Sequence, residues 1–337
     1  MAVRTRSRTI GHDQKIRQLD TMRHLWQVFW NYRLRKREVV PYAPYRIWVE
    51  PTNRCNLACV MCPNKDFRKS DLGFMDIQLY RKIIDEAGDF VYDMNIHHRG
   101  ESTLHPRLVE MIRYAKERGL PVKLHTNATT LTESLSRELI RSGLDLISFS
   151  FDGYTPEQYE GVRVGAKFDA TLNRIHRFLD LKKEIGRQGP KTVMEIMELL
   201  DRPIEPAAKT DFLQDLTDRG LNRVIIKKPH NWAGNVDLKT KLNEVYSPCT
   251  FPWHAQVILW DGRVGPCPHD YMARIILGDA GASSLRDIFN SPETRRLRHQ
   301  MIQGSIGALE PPCSTCDTVR RRRILGVPMD SLKYLKE

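Results

Sequence analysis

Three cysteines in the run Glu50-Pro-Thr-Asn-Arg-Cys55-Asn-Leu-Ala-Cys59-Val-Met-Cys62-Pro have the types and spacing for chemistry. Set four and then three positions apart, on a loop after a strand-like run, Cys55, Cys59 and Cys62 can turn their sulfurs toward one centre. Three thiolates hold three irons of a [4Fe-4S] cube and leave the fourth iron without a protein ligand, open to chemistry. A closed structural zinc site wants four ligands, and no fourth Cys or His lies near this loop. A second set, Cys249, Cys267, Cys313 and Cys316, follows with separations of 18, 46 and 3. Four thiolates are a full complement for a second [4Fe-4S] cluster, with a zinc ribbon as the alternative. The amino-terminal Met-Ala-Val-Arg-Thr-Arg-Ser-Arg lacks the apolar core of an export signal. Cysteines in an unexported protein favour metal ligation over disulfides, and such clusters place the chain in the cytoplasm.

Short apolar or β-branched runs alternate with helical ones from Arg46 to Lys228, the pattern of a parallel sheet wrapped by helices. Strands are expected at Arg46 to Glu50, Asp93 to His98, Val122 to Thr126, Leu144 to Phe151, Thr192 to Leu199 and Arg223 to Lys228. Helices are expected around Asp76 to Ala87, Pro106 to Arg118, Thr132 to Ser142, Asp169 to Gly186 and Ala207 to Arg219. Six β/α units are too few for a closed eight-stranded barrel. In β/α barrels the site lies at the carboxyl ends of the strands. The residues there are His97 to Pro106 after strand two, Thr126-Asn127-Ala128 after strand three, Ser150 to Gly153 after strand four with Arg163 downstream, and Lys228-Pro229-His230 after strand six. Lys228 and His230 are candidates to accept a substrate proton, since burial moves both types toward or below neutrality.

The Cys55/Cys59/Cys62 spacing resembles the signature of the radical S-adenosylmethionine (radical SAM) superfamily, in which the open iron is chelated by the methionine part of SAM. The residue before the third cysteine is aromatic in many members and is Met61 here. The resemblance implies a partial (β/α)6 TIM-like barrel over about 180 residues. Gly100-Glu101 resembles the second half of the superfamily's Gly-Gly-Glu motif, whose backbone receives the methionine amino group, with Arg99 in place of the first Gly. Thr126-Asn127-Ala128 resembles an element near the cofactor's ribose, and Ser150 and Arg163 match positions that contact the methionine carboxylate. Beyond Lys241, Cys249-Thr-Phe-Pro252-Trp253, the turn Asp261-Gly262-Arg263-Val264 and Cys313-Ser-Thr-Cys316 resemble the SPASM/twitch extension of these enzymes, a small α+β iron-sulfur domain. The cysteine separations are similar to the twitch subdomain of aminocyclitol-oxidising members, with one auxiliary cluster.

The expected organisation is thus a basic extension with an amphipathic helix over 1–44, a core barrel over 45–240, an auxiliary-cluster domain over 241–320 and a basic tail over 321–337. Residues 1–45 carry +7 and residues 318–337 carry +4 of the net +12. The body is therefore nearly neutral, which argues against a nucleic-acid groove. In the extension Met22, Leu25, Trp26, Phe29 and Trp30 make one apolar stripe, expected to pack on the barrel or a partner. Its Trp, Phe and basic residues also suit peripheral contact with a membrane surface.

The implied activity is that of an oxidoreductase. A low-potential donor, flavodoxin- or ferredoxin-like, drives cleavage of SAM to a 5′-deoxyadenosyl radical that removes a substrate hydrogen atom. An auxiliary cluster assists net oxidation of a carbohydrate or aminocyclitol alcohol. A peptide- or protein-modifying maturase is the alternative, and the short amino-terminal segment, without an evident leader-binding domain, tilts against it. A zinc-dependent nucleic-acid-binding module is the rival from another class.

Overall fold

The computed structural model describes residues 22–24, 26–186, 189–199, 205–227, 229–237, 246–320, 323–324 and 327–328. Six parallel strands run in sheet order, β1 Arg46–Val49, β2 Asp93–Asn95, β3 Val122–Thr126, β4 Leu146–Ser150, β5 Lys191–Met197 and β6 Arg223–Lys227. Helices cross between them: α1 Ile77–Ala87, α2 Leu108–Glu117, α3 Glu133–Arg141, α4 Pro156–Val162, α5 Phe168–Ile185 and α6 Pro206–Asp218. The result is the expected α/β open barrel. Each strand starts within two residues of its expected start and ends where a polar site residue or loop takes over.

Local chemistry sets the helix ends. The Asp76 carboxylate accepts from the amides of Gln78 and Leu79 at 2.8 and 3.2 Å and so opens α1. The Thr132 hydroxyl does the same for Leu135 at the head of α3, and both satisfy donors that a first turn otherwise leaves unpaired. Gly186 closes α5 in the left-handed conformation, φ 64°, which costs glycine little. Helix α4 was not expected. It begins at Thr155, whose hydroxyl accepts from Gln158, followed by Pro156 in the first turn, a Thr-Pro-Glu start that the sequence does contain.

One face of β1 to β5 is apolar and lies under the helices: Ile47 and Val49, Met94 and Ile96, Val122 and Leu124, Ile147 and Phe149, Met194 and Ile196 are all buried, while β6 at the edge is only half-buried. The other face carries Arg46, Trp48, Asn95, His125, Glu195 and Lys227, which line the barrel's interior cavity. An ordinary closed barrel fills that space with branched apolar side chains. Here it is polar.

The carboxyl-terminal segment continues the same sheet. Strand β7, Ala255–Ile258, pairs parallel to β1, and β8, Arg263–Gly265, turns back antiparallel across Asp261-Gly262, followed by β9, Gly278–Asp279. The chain then forms α7 Leu285–Phe289 and α8 Pro292–Ile302, separated by a break at Asn290 and Ser291. Pro292 cannot donate a backbone hydrogen bond, and the Ser291 hydroxyl caps the new start at Thr294.

The amino-terminal helix corrects an expectation. Its backbone is helical over 22–24 and 26–29 and continues as a π-turn through Trp30–Leu34. Met22, Trp26 and Trp30 point outward and are 67%, 59% and 36% exposed, Phe29 is half-buried, and Leu25 lies outside the described residues. The packed face is instead His24, Val28 and Tyr32. His24 meets the rings of Tyr42, Tyr45 and Tyr92, and Tyr32 sits 5.0 Å from Trp253 and donates to the Pro248 carbonyl. The rings of the core's own tyrosines select the mixed aromatic face over the plain apolar one. No helix among the described residues is long and apolar enough to cross a membrane.

Arg298 on α8 knits these pieces together. Fully buried, its guanidinium donates to the carbonyls of Pro252, Glu38 and Phe289 and to the Asn290 side chain, at 2.6 to 2.9 Å. Replacing it with Met strands these acceptors without donors. The variant Arg298→Met is expected to lose roughly 3 kcal/mol or more in chemical denaturation, at about 1–3 kcal/mol per stranded buried group. A loss below about 1 kcal/mol would show that water replaces the guanidinium.

Candidate active site

The loop after β1 is held on several sides before any ligand arrives. Asn53 reaches across it, its Nδ2 donating to the Asp71 carbonyl at 2.7 Å and its Oδ1 accepting from the Gly73 amide at 2.8 Å. The amides of Ala58 and Val60 bond to the carbonyls of Val164 and Val162, at 2.9 and 3.0 Å, so the segment after α4 lies against the loop like an added strand. Asn64 Nδ2 donates to the carbonyls of Asn53 and Arg99. Gly100 fits against the loop from the other side. A Cβ there would fall on the carbonyl oxygens of Thr52 and Arg54, so glycine is required by the approach of the two backbones.

Cys55, Cys59 and Cys62 border a cavity of 1110 Å³ at the carboxyl ends of the strands. Burial pushes the Cys55 thiol up to about 12, and the neighbouring charges of Glu101, Cys59 and Cys62 add to the rise. Burial also raises Cys59, although Arg163 opposes it. Two buried thiols that resist ionisation, with Cys62 beside them, are a setting in which a bound cation offsets thiolate charge.

The second set gathers in the same way. Burial raises the Cys267 thiol well above its ordinary value, and Cys249, Cys313 and Cys316 are the next causes. These four sulfurs are thus neighbours, although their separations span the hairpin and α8. They stand behind the cavity wall. Phe251, two positions after Cys249, and Pro268 and Asp317, next to Cys267 and Cys316, are among its lining. Among the described residues no three His, Cys, Asp or Glu groups are placed to hold a single metal ion. Thiolates on one tetrahedral zinc stand about 3.8 Å apart, from Zn–S distances near 2.3 Å, and a four-iron cube spreads its ligands wider. Both cysteine sets have the donor chemistry of such a cluster.

The expected SAM-contacting residues all line this cavity. The Glu101 carboxylate joins two strand ends, accepting from the Thr126 hydroxyl at 2.8 Å, the Asn127 amide at 2.7 Å and the Thr103 hydroxyl at 2.6 Å. Asn127 Nδ2 donates to Asn56 Oδ1 on the cysteine loop at 3.0 Å. Ser150 ends β4 on the cavity wall. Arg163 is buried and paired with Asp152 at 2.6 Å, whose other oxygen accepts from the Met197 amide, so it is part of a built pair and not a surface charge. His230 lies edge-on to Trp232 at 3.9 Å, near His269. Lys228 lies outside the described residues.

Sequence reasoning named His97 and Arg99 only within the stretch after strand two, and did not single out Glu195, His125, Asp93 or Tyr271 at all. Glu195 on β5 takes the Lys227 ammonium at 2.6 Å and His125 Nδ1 at 3.5 Å. Burial opposes its ionisation, yet His125 and Lys227 hold its carboxyl down to about 2. His97 stacks on His125 with ring centres 4.0 Å apart. Asp93 bridges Arg46 and Lys123 at 2.6 and 2.9 Å. Arg99, the departure from Gly-Gly-Glu, forms a buried two-pronged pair with Glu50 at 2.8 Å. Tyr271, from the carboxyl-terminal segment, places its hydroxyl 2.5 Å from the Arg99 carbonyl and 3.2 Å from Cys62 Sγ.

The radical SAM superfamily sequence profile matches residues 49–202, and that of the SPASM iron-sulfur cluster-binding domain matches residues 249–317. The chain belongs to the radical SAM superfamily. It is a radical SAM enzyme with a carboxyl-terminal SPASM domain, so iron-sulfur and SAM chemistry and a reductant come with the family. It is similar to the tungsten-containing aldehyde ferredoxin oxidoreductase cofactor-modifying protein of Pyrococcus furiosus, 27% identical over 320 residues, covering 80% of this chain and 86% of that one. The SAM-dependent 2-deoxy-scyllo-inosamine dehydrogenase of Niallia circulans is 22% identical over 278 residues, covering 81% and 92%. Among solved structures, Streptococcus suis SuiB bound to its precursor peptide SuiA superposes with a TM-score of 0.63 at 13% identity, covering 95% of this chain and 78% of that one, a likeness of fold.

Two expectations follow for this radical SAM enzyme. Removing Arg99 alone strands the Glu50 carboxylate out of water, so Arg99→Leu should cost about 3–5 kcal/mol. Leucines at both positions should cost less than that single change. Equal losses in the single and double variants would show that the pair is not coupled. The second expectation concerns pH. Burial first, then neighbouring positive groups, push His97 and His98 well below 6.5. Both are neutral when folded, so the stability they contribute is present above 6.5 and is lost as pH falls, because the unfolded chain binds the protons. The loss is about 1.4 kcal/mol per histidine for each unit below 6.5. His97→Asn should flatten the denaturation-against-pH curve between 6.5 and 5, and an unchanged slope would place the titration elsewhere.

Proposed function

We propose that this enzyme carries out a net two-electron oxidation of a small polar molecule, a carbohydrate or cyclitol alcohol, held between two [4Fe-4S] clusters. The supporting observation is one shared cavity, lined by Cys55, Cys59 and Cys62 and also by Phe251, Pro268 and Asp317, which lie within two positions of Cys249, Cys267 and Cys316 in the chain. In this reading residues 45–240 form the catalytic core and residues 241–320 the auxiliary-cluster domain. Cys55, Cys59 and Cys62 hold the cluster with the open iron, and Cys249, Cys267, Cys313 and Cys316 hold the second. When bound, the first cluster with SAM supplies a 5′-deoxyadenosyl radical able to take hydrogen from an unactivated C–H bond.

The chain's own residues do the rest. Gly100 and Glu101 present backbone to the methionine amino group, Asn127 and Thr126 border the ribose, and Ser150 with the Asp152-paired Arg163 faces the carboxylate. The inner barrel offers Glu195, His125 and Lys227 as mutually paired hydrogen-bonding groups for a hydroxylated substrate. His230 or Lys228 accepts the alcohol proton as the oxidation completes. Trp48, Trp232 and Phe251 screen the site from water. The reductant is a flavodoxin- or ferredoxin-like protein.

Anaerobic incubation with SAM, dithionite and a deuterated extract tests the substrate class by mass spectrometry. Deuterium in 5′-deoxyadenosine together with a small product that has two hydrogens, of either isotope, fewer than its precursor supports the reading, and a modified peptide as the product replaces it with maturation. Iron content should be about eight per chain and fall to about four in the Cys55, Cys59, Cys62→Ala variant, with loss of all SAM cleavage. A Cys313, Cys316→Ala variant that keeps its circular dichroism should still form 5′-deoxyadenosine and lose product. Normal product from that variant would make the second set structural and overturn the oxidation.

A further inference from the structure

We propose that the Tyr271 hydroxyl hydrogen-bonds the Cys62 sulfur of the SAM-binding cluster and raises that cluster's reduction potential, so that the carboxyl-terminal domain tunes the core. The inference rests on the reading that Cys55, Cys59 and Cys62 hold an iron-sulfur cluster. It adds a group that lies 209 positions away from Cys62 in the chain and four positions after Cys267.

The geometry supplies the donor and frees its proton. Tyr271 is 2% exposed, and its hydroxyl lies 3.2 Å from Cys62 Sγ and 2.5 Å from the Arg99 carbonyl. A phenol has one proton, so both acceptors cannot hold it together. The Arg99 carbonyl, however, also accepts from Asn64 Nδ2 at 2.8 Å. It stays satisfied when the phenolic proton turns away, and that turn moves no heavy atom. With a free thiol, Cys62 S–H donates to the phenol oxygen and the phenol donates to Arg99. A cluster-bound Cys62 is a thiolate, with no proton and with negative charge, and hydrogen bonds to charged acceptors are the stronger ones. The proton then goes to sulfur.

The ring cannot drift from this position. It stacks on Phe67 at 6.0 Å and meets Trp232 at 5.0 Å. Its backbone is pinned by Asp270, whose carboxylate accepts from the amides of Arg274 and Ile275 at 3.0 and 2.8 Å. Arg99 is fixed in turn by Glu50. The reduced cluster carries one more electron, so its sulfur is the better acceptor in that state. A fixed donor stabilises the reduced form more than the oxidised one, and hydrogen bonds to sulfur are among the factors that set cluster potentials.

Tyr271→Phe removes one oxygen and keeps the ring. Redox titration of the full chain followed by electron paramagnetic resonance reads both clusters, and the signal that changes on adding SAM marks the one with the open iron. In the variant the reduced-to-oxidised ratio of that signal at a fixed poise should fall by about threefold, roughly 28 mV at 59 mV per decade for one electron. The auxiliary signal should not move. In wild-type protein, transfer to deuterium oxide should remove an exchangeable proton coupling from the SAM-responsive signal, and the Phe variant should lack that coupling from the start. An unshifted potential in a variant with full iron content overturns the proposal, as does an equal shift of both signals, which would mark a displaced domain. If the variant loses its cluster, absence of the exchangeable coupling in wild type overturns it instead. A wild-type protein with no SAM-responsive signal would remove the cluster reading itself, a failure distinct from the others.

Discussion

A carboxylate and a guanidinium, both out of water, hold the active end of this barrel together. Glu50 follows β1 and Arg99 follows β2, and their two-pronged pair is almost fully buried, at 0% and 4% side-chain exposure. Such a pair contributes little net stability over apolar residues, but neither charge tolerates the loss of the other. Its value here lies in placement. With the side chain tied to Glu50, the Arg99 carbonyl faces Asn64 and Tyr271, and the next residue is driven so close to Thr52 and Arg54 that only glycine fits. The Glu50 carboxylate also takes the Trp260 amide at 3.3 Å, which brings the carboxyl-terminal hairpin into the same junction. Arg99, standing where the Gly-Gly-Glu motif that this stretch resembles has its first Gly, thus joins core and extension.

Much of the fold was legible because its signals are local. Strand β3 occupies the expected Val122 to Thr126, and Asp76, Thr132 and Gly186 end their helices as their side chains or lack of one dictate. The amino-terminal helix was not legible in the same way. Its strongest periodic stripe contains the tryptophans, yet which face is buried depends on what lies opposite, and Tyr42, Tyr45, Tyr92 and Trp253 come from distant parts of the chain. Hydrophobic period names a helix but does not choose its partner.

The site divides along the same line. The cysteines announce themselves through residue type and spacing, and the residues after each strand follow from barrel geometry. Arg163 could be placed from sequence but its commitment to Asp152 could not, because the pair closes only when α4 forms. His125 and Glu195 were not legible for another reason. Each sits in a strand as a single polar residue at alternating positions, which reads as a solvent-facing edge. In an open barrel that face is instead the interior.

That inversion has a chemical consequence. An interior of charges left unpaired would hold tightly bound water, and a substrate would have to strip it before reaching a reactive radical. Here Lys227 and the His125 ring meet Glu195, and Arg46 and Lys123 meet Asp93, before any substrate arrives. Much of the desolvation cost is therefore met in folding, and the polar groups stand fixed in orientation when the substrate enters. Preorganised dipoles stabilise developing charge without reorganising, and a hydroxylated molecule can exchange hydrogen bonds with such groups one for one. The apolar interior of a closed barrel offers neither, which is why opening the barrel to six strands and making its inner face polar belong to one design.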